Sequence, residues 1–167
     1  MSRNWMTPLV LVALLAIVFM LRGKGHPEQA PAMPAAMLDG GSIDFAQPKG
    51  RVRLVNFWST SCGPCLRGMP ALTQTYRRYH DRGFDVVAVA MSYDAPDQVQ
   101  AYARREALPF RVGFDPVGAL AHAFGGVRAT PTSYLIDGQG RIVKRIIGTP
   151  DHAALEALID ALLPAGH

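Results

Sequence analysis

The apolar residues of the chain alternate between short continuous runs and stripes with helical spacing. Segments 52–58 and 84–91 are rich in β-branched and aromatic residues, which is typical of strands buried within a sheet. Between them, apolar side chains recur every three or four residues from Leu66 to Tyr79, the pattern of an amphipathic helix. A buried strand, a helix and a second buried strand predict an α/β fold whose sheet is flanked by helices.

The rest of the chain continues this alternation and ends in a hairpin and a helix. In chain order, the pattern predicts a short strand over 42–46, a helix that Asp94, Pro96 and Asp97 open, a strand over 110–114, a short helix that Asp115 and Pro116 start, strands over 133–136 and 142–147 joined by Gly138-Gln139-Gly140, and a last helix after Asp151. The last helix is expected to face the core with Leu155, Leu158, Ile159 and Leu162.

The first 40 residues differ in composition from the rest of the chain. Residues 9–21 form an unbroken apolar run, whose length lies between that of a signal-peptide core and that of a membrane-spanning helix. We expect residues 1–25 to be an uncleaved N-terminal transmembrane anchor, with a cleaved signal segment as the alternative. Residues 26–40 are rich in proline and alanine without periodicity, which predicts a semi-extended linker. Residues 41–167 then form one domain.

The net charge and its distribution along the chain bear on which partners the protein can bind. The chain carries 17 Lys and Arg against 13 Asp and Glu, a net charge of +4. The basic residues are scattered rather than clustered, so no nucleic-acid partner is expected. No cysteine precedes residue 62, which excludes a lipid anchor on an N-terminal cysteine.

The only two cysteines, Cys62 and Cys65, lie where the first buried strand gives way to the helix. Free N–H groups and the dipole at a helix start favour a thiolate, and cysteines in such CxxC sites titrate below an ordinary thiol. Pro64 suits the first turn, where its missing N–H is not needed. The placement predicts that Cys62 attacks a disulfide and that Cys65 resolves the mixed disulfide.

A CxxC pair has two other common uses, a metal site and a structural disulfide. A zinc site needs two further ligands, and the sequence offers no second cysteine pair and no H-x3–5-H spacing, so we expect no metal. A purely structural disulfide across so short a loop would constrain the unfolded chain little. Thiol–disulfide exchange is therefore the favoured interpretation.

Two motifs, in this order, resemble a known family. Asn56-Phe57-Trp58 precedes Cys62-Gly63-Pro64-Cys65 and Met69-Pro70, and Ala129-Thr130-Pro131-Thr132-Ser133-Tyr134-Leu135-Ile136-Asp137 follows downstream. From about residue 41 to 163 the chain resembles the membrane-anchored thioredoxin-like proteins of the TlpA/ResA type. The resemblance implies a thioredoxin-like three-layer fold with a mixed central sheet flanked by helices. It also implies one inserted βα unit, which matches the long separation between Cys65 and Pro131.

The resemblance also assigns roles around the cysteines. It implies a cis Thr130–Pro131 bond opposite the CxxC motif, where the Thr130 backbone would pair with an extended substrate segment; an ordinary loop proline is the alternative. Trp58 is expected in the core beneath the site, with substrate contact as the alternative. The Gly63-Pro64 dipeptide is the one found in thioredoxin itself.

Three positions depart from the family pattern. Thioredoxin has a buried Asp at the position of Asn56, and many TlpA/ResA relatives have a Glu at that of Gly68. Either acid would exchange a proton with the buried thiol, and both are absent here. Ser61 replaces the Trp that usually precedes the first cysteine. Water that enters beside Gly68 and Ser61 is therefore the expected proton route to Cys65.

The predicted function is that of a membrane-tethered protein disulfide reductase in the periplasm or another extracytoplasmic space, recharged by a transmembrane thiol donor; a cytosolic domain is the alternative. The resemblance suggests cytochrome c maturation or copper-site assembly as its task. We expect a monomer with no cofactor beyond the Cys62–Cys65 disulfide. The alternatives are a copper-binding assembly factor of the Sco type, which uses CxxxC and a distant His, and a peroxiredoxin, which needs a peroxidatic cysteine that this chain lacks.

Overall fold

The computed structural model describes residues 29–164, which form a sheet-centred α/β unit. Its strands are β1 (Pro34–Ala36), β2 (Ser42–Asp44), β3 (Val52–Trp58), β4 (Phe84–Ala90), β5 (Arg111–Phe114), β6 (Thr132–Ile136) and β7 (Ile142–Ile147). Its helices are α1 (Gly63–Tyr79), α2 (Pro96–Arg105), α3 (Ala119–Ala123) and α4 (His152–Leu162), and a 3₁₀ turn at His80–Arg82 follows α1.

The main sheet has five strands in the order β5-β4-β3-β6-β7, with β3 at its centre. β3 pairs in parallel with β4 and β4 in parallel with β5, whereas β6 and β7 add as an antiparallel hairpin. All residues of β3 are buried, as its apolar sequence predicted. The mixed sheet is confirmed, and α2 with β5 forms the additional βα unit between the cysteines and Pro131.

Two hydrophobic clusters pack against opposite faces of this sheet and give the predicted three layers. One cluster joins the sheet to α1, α2 and α4 through Leu54, Trp58, Leu72, Val99 and Ile159. The other joins it to α3 and the N-terminal strands, and includes an aromatic group of Phe57, Phe124 and Tyr134. Successive side chains of a strand point to opposite faces, which explains why Leu54 and Val55 belong to different clusters.

The predicted linker needs correction, because residues 29–40 pack onto the domain from Gln29 onward. Gln29 bridges to Arg141, and β1 pairs antiparallel with β2. Ala30, Ala35 and Met37 are buried, with exposed fractions of 2%, 5% and 6%. Small side chains without a clear period can still bury fully where they meet a sheet edge, so composition alone indicated a tether that the fold does not have.

The predicted anchor over residues 1–25 lies outside the described residues and stays a prediction. Within residues 29–164, no helix has the length and apolar character needed to span a membrane.

Two details of the helices also differ from the predictions. Leu158 of α4 is 37% exposed instead of facing the core, unlike Leu155 and Ile159. The short helix α3 starts at Ala119 rather than after Asp115. Asp115 nevertheless holds its first turn, since its carboxylate accepts hydrogen bonds from the Leu120 and Ala121 N–H groups at 3.2 and 2.8 Å.

Candidate active site

The CxxC motif lies where β3 leads into α1. Cys62 is the N-cap of α1: its backbone is extended, and its Sγ accepts a hydrogen bond from the Cys65 N–H at 3.2 Å. Pro64 stands in the first turn, where a helix tolerates the loss of a donor. The predicted position of Cys62 at the helix start is confirmed. An amide donor aimed at this sulfur and the helix dipole both favour a negative charge on it.

Cys62 and Cys65 form a disulfide, with their Cα atoms 5.2 Å apart. Their surroundings differ, because Cys62 is only partly buried whereas Cys65 is 3% exposed. Cys65 belongs to the hydrophobic cluster under α1. In the reduced protein, a substrate therefore reaches the Cys62 sulfur first, and burial among apolar groups disfavours the thiolate form at Cys65.

The loop before β6 faces Cys62 from the opposite side. The Thr130–Pro131 bond is cis, as predicted. The Thr130 carbonyl oxygen lies 3.3 Å from the Cys62 Sγ, within reach of a Cys62 thiol proton. The Pro131 carbonyl accepts a hydrogen bond from the Gly148 N–H at 2.8 Å, which ties this loop to the end of β7. Tyr93, 63% exposed, places its hydroxyl 3.5 Å from the Thr130 Oγ1.

A buried carboxylate organises the loop in front of Cys62. Asp94, 8% exposed, accepts hydrogen bonds from the Ser59 hydroxyl at 2.8 Å and from the Thr60 hydroxyl and N–H at 2.9 Å each. The Ser59 Oγ also accepts the Ser61 N–H at 3.1 Å. Such a network holds a loop firmly, because opening it leaves a buried carboxylate without donors.

Asp94 therefore has a different place from the one that the sequence suggested. It was expected to open α2, but that helix starts at Pro96 behind Ala95, which makes no side-chain cap. The Asp94 carboxylate turns to the CxxC loop instead. A run of Ser59, Thr60 and Ser61 before a cysteine could have indicated that a buried acceptor was needed nearby, although not which one.

A small cavity lies on the other side of the disulfide, beside Cys65. Gly68 of α1, Asn56 of β3, Ser133 of β6 and His152 of α4 contribute to its wall together with Cys65. Its volume is about 20 Å³, room for about one water molecule. The Asn56 Nδ2 donates a hydrogen bond to the Ser133 Oγ at 2.9 Å. Polar side chains from three elements, β3, β6 and α4, thus line the same cavity as Cys65 of α1.

Both positions at which the family carries an acid line this cavity. Asn56 is 6% exposed, and a Cβ added at Gly68 would lie 3.8 Å from the Thr149 Cγ2, an ordinary van der Waals distance. A Cβ at position 68 therefore fits without displacing its neighbours. Ser61 lies outside this cavity wall, and its hydroxyl is 2.8 Å from the Ser59 Oγ. Of the two positions named for the predicted water route, Gly68 borders this cavity and Ser61 does not.

His152 is the cavity residue that the sequence analysis missed. It is the first residue of α4, behind the N-cap Asp151. Its side chain is partly buried, and both ring nitrogens are closed off from solvent without a hydrogen-bond partner among residues 29–164. His152 and Cys65 are far apart along the chain and meet only because α4 packs on α1. No local sequence signal could have connected them.

The aromatic residue at the end of β3 lies in the core. Trp58 is completely buried, with its ring centroid 5.1 Å from that of Tyr102. Burial, reinforced by the nearby Glu106 carboxylate, raises the pKa of Tyr102 above its usual value, so the phenol stays neutral at neutral pH. Trp58 thus supports the floor of the site and does not reach a substrate. Across residues 29–164, acidic, histidine and cysteine side chains form no group of three that could hold a metal ion.

Comparisons with known proteins agree with this geometry. A family model described as Redoxin matches residues 25–161. The thiol–disulfide oxidoreductase ResA of Bacillus thuringiensis (strain Al Hakam) is 31% identical over 138 residues, which cover 82% of this chain and 78% of that protein.

Solved structures agree as well. A candidate thioredoxin from Neisseria meningitidis superposes with a TM-score of 0.75 at 37% identity, over 81% of this chain and 90% of that one. A candidate thiol:disulfide interchange protein DsbE from Chlorobium tepidum gives a TM-score of 0.76 at 30% identity, over 84% and 99%. The chain therefore belongs to the Redoxin family and is a thiol–disulfide oxidoreductase of the ResA/DsbE type, with Cys62 and Cys65 as its disulfide.

Proposed function

We propose that the protein is a membrane-tethered disulfide reductase that acts on protein disulfides outside the cytoplasm, with Cys62 as the attacking thiol and Cys65 as the resolving thiol. The observation that supports these two roles is the difference in solvent exposure of the cysteines. Cys62 is partly exposed at a helix N-cap, whereas Cys65 is 3% exposed. Only a sulfur in the first position can meet a disulfide on another protein.

In the first step, the Cys62 thiolate attacks one sulfur of the substrate disulfide. A bond forms between the Cys62 Sγ and that sulfur, the substrate S–S bond breaks, and the other substrate sulfur leaves as a thiolate that takes a proton. The Cys65 N–H, which already points at the Cys62 Sγ from 3.2 Å, stabilises the thiolate before attack.

In the second step, Cys65 loses its proton and attacks the Cys62 Sγ. The Cys62–Cys65 disulfide forms, the mixed disulfide breaks, and the second substrate sulfur leaves as a thiolate. Two electrons have then passed from the dithiol to the substrate. The Cα atoms of the two cysteines, 5.2 Å apart in the oxidised form, fall in the range that disulfides require.

The loop at Thr130 and Pro131 is the proposed docking strip for the substrate. The Thr130 carbonyl and the Cys62 Sγ stand 3.3 Å apart, so a substrate chain seated along this loop is next to the sulfur that it must meet. An extended segment can gain affinity from main-chain hydrogen bonds in this mode. The exposed ring of Tyr93 lies beside the strip and offers an apolar surface.

The reducing direction, the location and the biological task rest on the sequence. Gly63-Pro64 is the dipeptide of thioredoxin, whose potential of about −270 mV is strongly reducing. The apolar run over residues 9–21 and the TlpA/ResA resemblance support a tethered, extracytoplasmic domain that a transmembrane thiol donor recharges. Cytochrome c maturation or copper-site assembly is the task that this resemblance favours. The protein is proposed to work as a monomer with no cofactor beyond its disulfide.

Equilibration with glutathione buffers tests the direction. The reduced fraction of Cys62 and Cys65 is read by mass spectrometry after acid quenching and alkylation, over a series of ratios of reduced to oxidised glutathione. A reductant gives a potential below about −200 mV, near those of thioredoxin and the glutaredoxins. A potential above about −150 mV, toward the strong oxidant DsbA, would exclude a reductase. Alkylation of intact cells with the same reagent shows whether Cys62 and Cys65 are reduced in vivo, as a reductase requires.

A further inference from the structure

We propose that His152 is the proton acceptor for Cys65 in the resolving step, and so replaces the carboxylate that this chain lacks at Asn56 and Gly68. The inference rests on the exchange between Cys62 and Cys65, and it holds whichever way the electrons flow. It assigns a function to a residue that belongs to neither sequence motif.

The first support is position. Of the residues that line the cavity beside Cys65, two are titratable: Cys65 itself, on α1, and His152, on α4. Asn56 and Ser133 face the same space but are neutral amide and hydroxyl groups that bond to each other. No other side chain of this wall can take a proton from a thiol near neutral pH.

The second support is the state of the imidazole ring. Both ring nitrogens are closed to solvent, and neither has a hydrogen-bond partner among residues 29–164. A buried polar atom without a partner costs free energy, and such exceptions in a folded protein point to a functional role or to a bound water. A neutral imidazole also has one nitrogen that accepts a proton and one that donates.

The third support is the size of the cavity. Its volume of about 20 Å³ is enough for about one water molecule, which needs two to four polar partners to bind. The wall supplies the His152 ring, the Ser133 hydroxyl, the Asn56 amide and the Cys65 sulfur. Both ring nitrogens are closed to solvent in this oxidised form, so one water can relay a proton between the sulfur and the ring once the ring turns a nitrogen toward the cavity.

The carboxylates nearest to His152 along α4 are engaged elsewhere and do not border the cavity, so they do not compete with the ring as proton acceptor for Cys65. On α4, Asp151 accepts the Ala154 N–H at 3.1 Å, and Glu156 is engaged by Thr75 and by Arg78 at 2.6 Å. From α1, the titratable group that faces the cavity is Cys65, and β3 and β6 contribute only Asn56 and Ser133. Neither Asp151 nor Glu156 belongs to the cavity wall.

The proton balance is simple. When a mixed disulfide is on Cys62, the Cys65 thiol gives its proton to the water, the water gives one to a His152 nitrogen, and the Cys65 thiolate attacks the Cys62 Sγ. The substrate sulfur leaves as a thiolate. In the opposite direction, the protonated ring returns a proton to Cys65 when the disulfide is reduced. General bases contribute about 10²- to 10⁴-fold to proton-transfer steps.

The test separates the two steps with 5,5′-dithiobis(2-nitrobenzoate). Mixing it at equal concentration with the reduced protein releases one thionitrobenzoate when Cys62 is modified and a second when Cys65 resolves the adduct, and stopped-flow absorbance follows both. With His152→Gln, we expect the first release to be unchanged and the second to be about 10- to 100-fold slower at pH 7. His122→Gln, the same substitution at an exposed position of α3, is the matched control.

The pH profile distinguishes a base from a structural residue. In the wild type, the second release should level off at a lower pH than in His152→Gln, because the ring takes the Cys65 proton. In His152→Gln it should keep rising to higher pH, so that the difference between the proteins shrinks there. Adding Gly68→Glu to His152→Gln should restore the rate at pH 7, because a carboxylate then borders the same cavity.

A measurement on the wild type covers the case in which His152→Gln does not fold. The ¹⁵N chemical shifts of the His152 ring nitrogens at pH 7 should change when Cys62 and Cys65 are reduced, and those of the His122 ring should not. An unchanged second release in a folded His152→Gln variant, or His152 ring shifts that ignore the reduction of the cysteines, would overturn the inference alone. If the wild type formed no adduct at Cys62 at all, the proposed function would fall with it.

Discussion

The two sulfurs of one disulfide have different surroundings. On the Cys62 side, a polar loop is held by the buried Asp94 carboxylate, the Thr130 carbonyl lies at 3.3 Å, and solvent has access. On the Cys65 side, the sulfur is 3% exposed and faces a cavity with few polar groups. The difference arises within one turn of α1, because the helix start faces outward and the next turn faces the sheet.

One dithiol needs these two kinds of environment because its sulfurs act at different steps. The attacking sulfur must be an anion in contact with solvent, so N–H groups and the helix start surround it. The resolving sulfur must be shielded until a mixed disulfide exists, so it is buried. Burial also makes its ionisation harder, and a proton acceptor on that side becomes necessary.

The largest effect comes from removing either sulfur. Cys62→Ser should abolish exchange with a protein disulfide, because no accessible thiol remains. Cys65→Ser should retain the first step and accumulate a covalent adduct with the substrate, since nothing resolves it. Non-reducing gels and mass spectrometry of the adduct check both outcomes. The assignment would be contradicted if the Cys62→Ser variant formed an adduct on Cys65 as fast as the Cys65→Ser variant forms one on Cys62.

A carboxylate added on the Cys65 side should give the next largest effect. Gly68→Glu should accelerate the resolving step at pH 7 by about three- to tenfold, because a second base then borders the cavity. It should also stabilise α1 by up to about 1 kcal/mol, since glycine is a poor helix former. Stopped-flow decay of the mixed disulfide measures the rate. Gly68→Gln, with nearly the same shape and no charge, is the control and should not accelerate it.

Changing the boundary between the two sides should have a smaller effect. Pro131 is buried, lines the cavity and follows the Thr130 carbonyl that faces Cys62. Pro131→Ala removes two buried methylene groups, worth about 1.5 kcal/mol of unfolding free energy, and should lower kcat/KM severalfold for a protein disulfide but little for a small one. Pro48→Ala, at a buried proline before β3 that does not line this cavity, is the control and should spare both substrates. Equal losses for the two substrates in Pro131→Ala would mean that the loop does not dock the protein.

The smallest effect on exchange is expected at the far end of β6. Asp137 accepts hydrogen bonds from the Gln139 N–H and from the N–H and Nε of Arg141 at 2.9, 3.0 and 2.7 Å. Burial alone would raise the pKa of Asp137, but these hydrogen bonds outweigh it and lower that pKa. The carboxylate therefore stabilises the fold above the ordinary Asp pKa of about 3.9, and this stabilisation is lost as the pH falls through the lower folded-state value.

Asp137→Asn should accordingly reduce the unfolding free energy by about 1–2 kcal/mol at pH 7, and by progressively less below pH 4. Urea unfolding at pH 7 and pH 3 measures the difference. Both steps of exchange should keep their wild-type rates, which makes this variant a control for stability losses at the site. A destabilisation that grew toward low pH would show the sign to be wrong.

Local pattern was enough to predict most of the fold. The buried character of β3, the helical stripe from Leu66 to Tyr79 and the hairpin of β6 and β7 each depend on neighbouring residues in the chain. The place of Cys62 at a helix start followed from the same local signals. Residues 29–40 were predicted wrongly because their burial depends on distant partners such as Gly140, whose carbonyl accepts the Ala30 N–H at 2.8 Å.

The cavity beside Cys65 could not be predicted for the same reason. Its polar groups come from β3, β6 and α4, and only the completed packing brings them beside Cys65 of α1. The sequence correctly indicated that Asn56 and Gly68 leave the buried thiol without an acid, but it offered no substitute. His152 carries no motif, and Asp94 resembled an ordinary helix-opening residue. Side chains that act across a fold are visible only in the fold.

The most direct test of the account is the order in which the two thiols of the reduced protein react. Brief exposure to iodoacetamide at pH 7, followed by quenching, digestion and mass spectrometry, gives the modified fraction of Cys62 and Cys65 separately. We expect Cys62 to be alkylated first, and Cys65 to react at a comparable rate only after denaturation in urea. Faster alkylation of Cys65 in the folded protein would show that the exposed helix-start sulfur is not the one that attacks.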